Sequence, residues 1–279
     1  MKYLILFLLT PVIIFSQNNN FVIGINGGVY FANRNTSIQY NGFYNNYGIN
    51  TILNQSNNKP YIDQYFQNTF NSQIYSVSDG EIERLENNIK YNASPEIGFN
   101  LGLVNKKSKL FVDINFSNIR VQDFITFEVQ NQNSTMSTEP QYVPISITGK
   151  EKRNIINIGY QKKIYEESKI TIHYPIFVQF LKAEIDDNFI TINNQPYPII
   201  HNFQTSTNFG QNQGRIGLGF GSGLIVNYFV NKDACLDFGY HIQYSKTNFS
   251  ENLNPWGIQQ SLFTRIIVNG SKYLSRLND

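Results

Sequence analysis

Few side chains in this sequence are of a type that could do covalent or metal chemistry, and their spacing argues against it. His173 and His241, two of the three histidines, together with Asp113 and Asp237 make four nominal metal ligands, but none fall at the short spacings of a zinc site. Cys235 is the only cysteine, so an intramolecular disulfide is excluded. Gly217, Gly219, Gly221 and Gly223 alternate like part of a phosphate loop, yet no Lys-Ser/Thr follows and no helix opens after them. No Ser-His-acid set can be drawn without knowing which segments are neighbours. No catalytic, cofactor-binding or metal-binding residue is therefore assigned, and no cofactor is expected.

The segments that carry these residues are strands. From Cys235 to Ser245, Leu236, Phe238, Tyr240, Ile242 and Tyr244 alternate with Asp237, Gly239, His241 and Gln243. Successive strand side chains point to opposite faces, so one face is apolar and the other polar. The same alternation places Ile97, Phe99 and Leu101 against Glu96, and Leu110, Val112, Ile114 and Phe116 against Asp113. It continues through Phe21 to Asn33, Arg153 to Tyr165, Lys169 to Ile185, Gly214 to Phe229 and Gly257 to Val268. Pro175 should interrupt its strand, because proline withholds a ladder hydrogen bond. Gly217, Gly219, Gly221 and Gly223 share one face and should leave room for bulky neighbours.

About eight such segments make an all-β chain: a transmembrane antiparallel up-and-down β-barrel with long extracellular loops, eight being the smallest number that closes one. The connections support this. Asn105 to Ser108, Glu166 to Ser168 and Asn231 to Ala234 are short, whereas Arg34 to Ala93, Gln130 to Lys152 and Asp186 to Gln213 are long and polar. Membrane barrels sort their connections in this way, with short periplasmic turns and longer outer loops. Within Arg34 to Ala93, Asp63, Tyr65, Phe66, Phe70, Ile82, Leu85 and Ile89 give weak helical spacing, which allows equally a helical lid over the barrel mouth or a disordered loop. A mean hydropathy of -0.32 fits strands with one wet face.

At the N-terminus, Lys2, the apolar run Leu4 to Phe15 and the small Ser16 read as a cleaved export signal over residues 1–16, leaving residues 17–279 as the barrel domain. The run is too short for a membrane helix, and no later segment is long and apolar enough to be one. A formal net charge of +2 gives no argument for nucleic acid as a partner.

With its Phe15-Ser16-Gln17 leader end, its Asn- and Tyr-rich loops and its eight alternating segments, the chain resembles the small outer-membrane β-barrels of the Bacteroidota. Its topology is similar to the OmpX/OmpA type and to the PorT-like barrel group, over residues 17–279. The likeness lies in pattern rather than in a diagnostic motif, and it implies roles from structural protein to adhesin or secretion accessory. The chain departs from the pattern in the polar tail Gly270 to Asp279, where many such barrels end on an aromatic residue.

With apolar faces on lipid, Glu96, Asp113, His173, Asp237, His241 and Arg265 point into the lumen, and Arg215 lies near the rim. An eight-stranded barrel is just wide enough for its side chains to fill, so these charges should pair as a structural polar network. Tyr160, Tyr174, Phe180, Tyr228, Tyr240, Tyr244 and Trp256 suit the aromatic girdles at the membrane surfaces. The reading is a non-enzymatic integral outer-membrane protein with periplasmic termini. Its partners are outer-membrane lipid and lipopolysaccharide, and its loops bind a partner or dock with other outer-membrane proteins. The alternatives are a barrel enzyme acting on lipid or peptide, and a soluble exported β-sandwich.

Overall fold

Alternation becomes a closed ladder. The computed structural model describes residues 20–43, 47–130, 139–200, 214–231, 233–247 and 256–270; residues 1–16, expected as an export leader, and most of the polar tail lie outside them. In chain order the strands are β1 (Asn20–Phe31), β2 (Tyr75–Val77), β3 (Ser94–Val104), β4 (Ser108–Val129), β5 (Gln141–Glu167), β6 (Ile170–Ile192), β7 (Gln195–Pro198), β8 (Gly214–Phe229), β9 (Ala234–Lys246) and β10 (Trp256–Asn269). Strands β2 and β7 are short additions at one end. The other eight pair antiparallel in the order β1-β3-β4-β5-β6-β8-β9-β10, and β10 returns to β1 from Val22↔Asn269 to Phe31↔Gln260. The eight therefore form an up-and-down barrel without a free edge, which removes the exposed ladder groups that hydrocarbon cannot satisfy.

The outer wall is apolar over a defined band. On β6 the outward set runs Ile170, Ile172, Tyr174, Ile176, Val178 and Phe180, most of it exposed. That run is roughly 33 Å along a strand at about 3.3 Å per residue. At a tilt of about 40° it spans roughly 25 Å of height, the apolar thickness of an outer-membrane barrel. Tyr244 and Trp256 stack at 5.1 Å toward the loop end, with the Lys246 ammonium 5.7 Å from the indole, while Tyr160, Tyr174 and Tyr228 stand toward the turns. Gln260, a polar intruder on the outer face, accepts a hydrogen bond from Tyr240 Oη at 3.1 Å.

Beyond the band both faces of the wall exchange character. Along β4 the inward residues change from Asp113, Asn115 and Ser117 to Ile119, Val121, Ile125, Phe127 and Val129. At the same level the outward residues change from Leu110, Ile114 and Phe116 to Asn118, Arg120 and Gln122. Strand β6 turns outward to Lys182, Glu184 and Asp186 and inward to Leu181, Ala183 and Ile185. The wall thus has lipid outside and polar groups inside below this level, and water outside and an apolar core inside above it.

Two expected loops are corrected here. Most of Gln130 to Lys152 is strand: β5 begins at Gln141 and pairs with β4 up to Val129. Asp186 to Gln213 begins as the end of β6 and turns through Asn193 and Asn194, both with positive φ, into β7. The Asn-Asn pair supplies the left-handed conformations that a two-residue hairpin turn requires. Pro175 interrupts pairing toward β8, where His173↔Ile225 is followed by Ile176↔Ser222, but the register is kept on both sides. The bulges fall elsewhere, between Lys150 and Glu151 and between Lys163 and Tyr165 on the β5–β6 ladder.

The first long loop folds as a cap. A 3-10 helix (Arg34–Asn41) precedes α1 (Ile49–Asn54), α2 (Lys59–Phe70) and α3 (Glu81–Asn88). Ile62 and Phe66, one helical turn apart, point inward with Ile49, Ile52, Leu85 and Ile89 onto the apolar inner face of β4 to β6. Each such side chain gains roughly 1.5–3 kcal/mol on burial, so the wall extension and the cap stabilise one another.

Candidate functional site

The lumen gathers three of the charges read from the sequence. The Arg265 guanidinium donates through Nη2 to both carboxylate oxygens of Asp113 at 2.9 Å, and its Nη1 lies 3.9 Å from Asp237 Oδ2. All three residues are buried. Asn100 donates to Asp113 at 2.6 Å and accepts from Lys109 Nζ at 2.7 Å, and Asn227 donates to Asp237. The chain of contacts crosses the lumen from β3 and β4 to β8, β9 and β10. It neutralises the charges and ties distant strands together.

The other sequence candidates lie beside it with contacts of their own. Glu96 accepts from Ser261 Oγ at 3.1 Å. His173 Nε2 is 3.2 Å from Thr171 Oγ1, near the turn end. The His241 ring instead packs between Phe177 and Phe263, with centroids 4.8 and 4.7 Å away, and Phe111 continues the layer at 6.2 Å from Phe177. Gly221 makes room for that layer, since a Cβ there would meet Phe177 Cζ at 2.5 Å. The two histidines face different surroundings, and no cluster of three or more His, Cys, Asp or Glu side chains suited to a metal occurs among the described residues.

A second buried ion pair escaped the sequence reading. Arg153 Nε donates to Glu151 Oε1 at 2.6 Å, with both side chains fully enclosed. Glu151 Oε2 accepts from Tyr40 at 3.0 Å and Tyr91 at 2.9 Å, while Arg153 donates to Tyr30 at 2.9 Å. Burial first, then the charge of Glu151, raises the Tyr40 and Tyr91 phenols well above their ordinary values and keeps them protonated as donors. Tyr40 belongs to the 3-10 helix and Tyr91 follows α3, so this cluster fastens both ends of the cap to the wall. Gly149 lies under the Tyr40 ring, where a Cβ would meet Cδ1 at 2.2 Å. The signal for the pair was present: Glu151 and Arg153 share parity with Val143, Ile145 and Ile147, the inward set of β5.

A closed eight-stranded ladder, apolar outside over one band and polar within it, is a transmembrane β-barrel. No family model matches the chain, and no curated protein does. Among solved structures it is similar to Neisserial surface protein A at 11% identity, covering 89% of this chain and 96% of that one with a TM-score of 0.40. It is also similar to the attachment invasion locus protein Ail of Yersinia pestis, in complex with sucrose octasulfate, at 11% identity, 90% and 99% coverage and a TM-score of 0.35. The outer membrane protease OmpT of Escherichia coli follows at 8% identity, 64% and 63% coverage and a TM-score of 0.30. The fold itself is defined by the closed ladder of this chain.

Proposed function

We propose that this protein is a non-enzymatic anchor in the outer membrane that holds a folded cap outside the cell to bind a partner. The observation that carries this reading is the exchange of character on both faces of β4 and β6, after Phe116–Ser117 and after Phe180. The wall leaves lipid there but continues as a scaffold for the cap, so the cap is the part built for an aqueous surface. The lumen supports an anchor rather than a passage, because its charges are spent on one another and its middle is filled by Phe177, His241 and Phe263. In this reading residues 1–16 are the export leader, and the short turns and both ends of the barrel face the periplasm.

Cysteine labelling tests it, in a Cys235→Ser background that removes the one native thiol. Ser56→Cys and Asn194→Cys lie in the cap and its hairpin, and Lys106→Cys lies in the β3–β4 turn. A membrane-impermeant maleimide should label the first two on intact cells, and the third only after the outer membrane is opened. The protein should fractionate with the outer membrane and need detergent for release. Recovery as a soluble periplasmic protein, or labelling of Lys106→Cys alone on intact cells, would contradict the reading.

A further inference from the structure

The helix α2 has two working faces: one enters the cap core, and the other touches that core only through Tyr65. Ile62 and Phe66 point inward, whereas Tyr61, Gln64, Tyr65 and Asn68 recur at the spacing of three and four residues that makes a second stripe. That stripe faces the β6–β7 hairpin across a cleft of about 790 Å³, whose far wall is Ile192, Asn193, Gln195 and Tyr197. The volume falls in the range of small-ligand sites, about 300–1,000 Å³. Both walls are held. The two-residue Asn193-Asn194 turn fixes the hairpin, and Tyr65 packs edge-on against Phe66 at 5.1 Å and Phe70 at 5.9 Å.

The lining has a particular chemistry. Phenols and side-chain amides dominate it, and among the described residues no charged one lines it. Nearby Lys59 is committed to Asp63 at 3.2 Å. Among the described residues Gln64, Asn68, Asn193 and Gln195 make no side-chain hydrogen bond, so their donors and acceptors are offered to whatever enters. Tyr61 is 70% exposed on one lip. Tyr197 is buried in the opposite wall, where burial and then the Tyr61 hydroxyl push its phenol up.

Resting on the reading of the cap as a partner-binding domain, we infer that this cleft binds a short, uncharged oligosaccharide. A sugar ring presents apolar C–H faces, which suit the flat tyrosine rings, and hydroxyls that both donate and accept. An amide side chain offers a donor pair and an acceptor in one plane and so can serve two such hydroxyls. An anionic or sulfated glycan would call for arginine or lysine in the lining, and none is there among the described residues. An extended peptide would need a sheet edge with donors, but β7 carries Pro196 and Pro198, which have no N–H to give.

The full chain is purified in a zwitterionic detergent free of sugar headgroups and titrated with neutral hexaoses (malto-, cello-, xylo-, manno- and hexa-N-acetylchitohexaose), read by saturation-transfer NMR and calorimetry. At least one should bind. Tyr61→Ala and Asn68→Ala, both surface changes, should each weaken it about tenfold, the equivalent of about 1.4 kcal/mol. Tyr61→Phe keeps the ring and should stay within about threefold. Tyr142→Ala, an exposed aromatic on the outside of β5, should change nothing. Failure of every neutral hexaose, binding that ignores Tyr61→Ala and Asn68→Ala, or capture only of a sulfated heparin-type hexasaccharide or an extended peptide would overturn the inference. The titration uses purified protein, so it is independent of which side of the membrane the cap faces; the labelling experiment reports that separately.

Discussion

Asp113 and Asp237 share a single guanidinium in the middle of the lumen, and this makes Arg265 the residue on which the polar interior depends. Its replacement by methionine would leave two buried carboxylates without their counter-charge, a loss of about 3–5 kcal/mol for a broken buried pair. Arg265→Lys keeps the charge but cannot form the planar fork onto both Asp113 oxygens, so it should lie between. Urea unfolding in lipid vesicles measures both, and Arg265→Met within about 1 kcal/mol of the native chain would show that water penetrates and screens the site. The inward direction of Arg265 was legible from strand parity. Asp237, directly opposite it on the adjacent β9, was legible as a neighbour, but Asp113 was not, because it lies on β4 and reaches Arg265 only through the curvature of a closed wall. His241 shows the same limit: parity placed it inside, but only the packed lumen sets its ring between Phe177 and Phe263 rather than among the charges.

At the scale of elements, the strands within the apolar band were legible almost to the residue, and Gly214–Phe229 was matched at both ends. The extensions of β4, β5 and β6 were missed for a physical reason. Their alternation continues with period two, but the faces exchange roles once the wall leaves the membrane. Pro144, Ser146 and Thr148 look like loop residues if an apolar outer face is required, yet Val143, Ile145 and Ile147 alternate with them and cover the cap. The helical spacing around Phe66 and Leu85 pointed to structure in the first long loop, but not to the buried ion pair that holds it. This predicts that the fastening can be released without unfolding the barrel. Gly149→Leu drives a side chain into the Tyr40 ring, and Arg153→Met strands Glu151 beneath the cap. Both variants should keep the heat-modifiable gel migration of a folded barrel, while limited proteolysis within residues 34–93 speeds up by about tenfold or more, as for a locally destabilised unit. Simultaneous loss of the barrel band would mean that cap and wall form one cooperative unit.

At the scale of the whole molecule, two closures stand in series along the barrel axis. The lower is the lumen filling, with the aromatic layer of Phe111, Phe177, His241 and Phe263 beside the Arg265 cluster; the upper is the apolar core between the cap and the extended β4–β6 wall. A water column able to carry ions would have to pass both, and an eight-stranded barrel leaves no spare radius around its side chains. The native protein in planar bilayers should therefore show no stepwise conductance above the detergent blank. Loosening the cap alone with Arg153→Met leaves the aromatic layer shut, and Phe177→Ala with Phe263→Ala leaves the cap core shut. Each should remain silent, provided gel migration shows a folded barrel. Only the triple variant opens both levels, and it should give small, frequent openings that the single-level variants lack. Steady conductance in the native chain would make the lumen a passage and the cap a gate over it. Silence in the triple variant would assign the seal to the polar cluster around Arg265 and Asp113, which crosses the lumen independently of the aromatic layer.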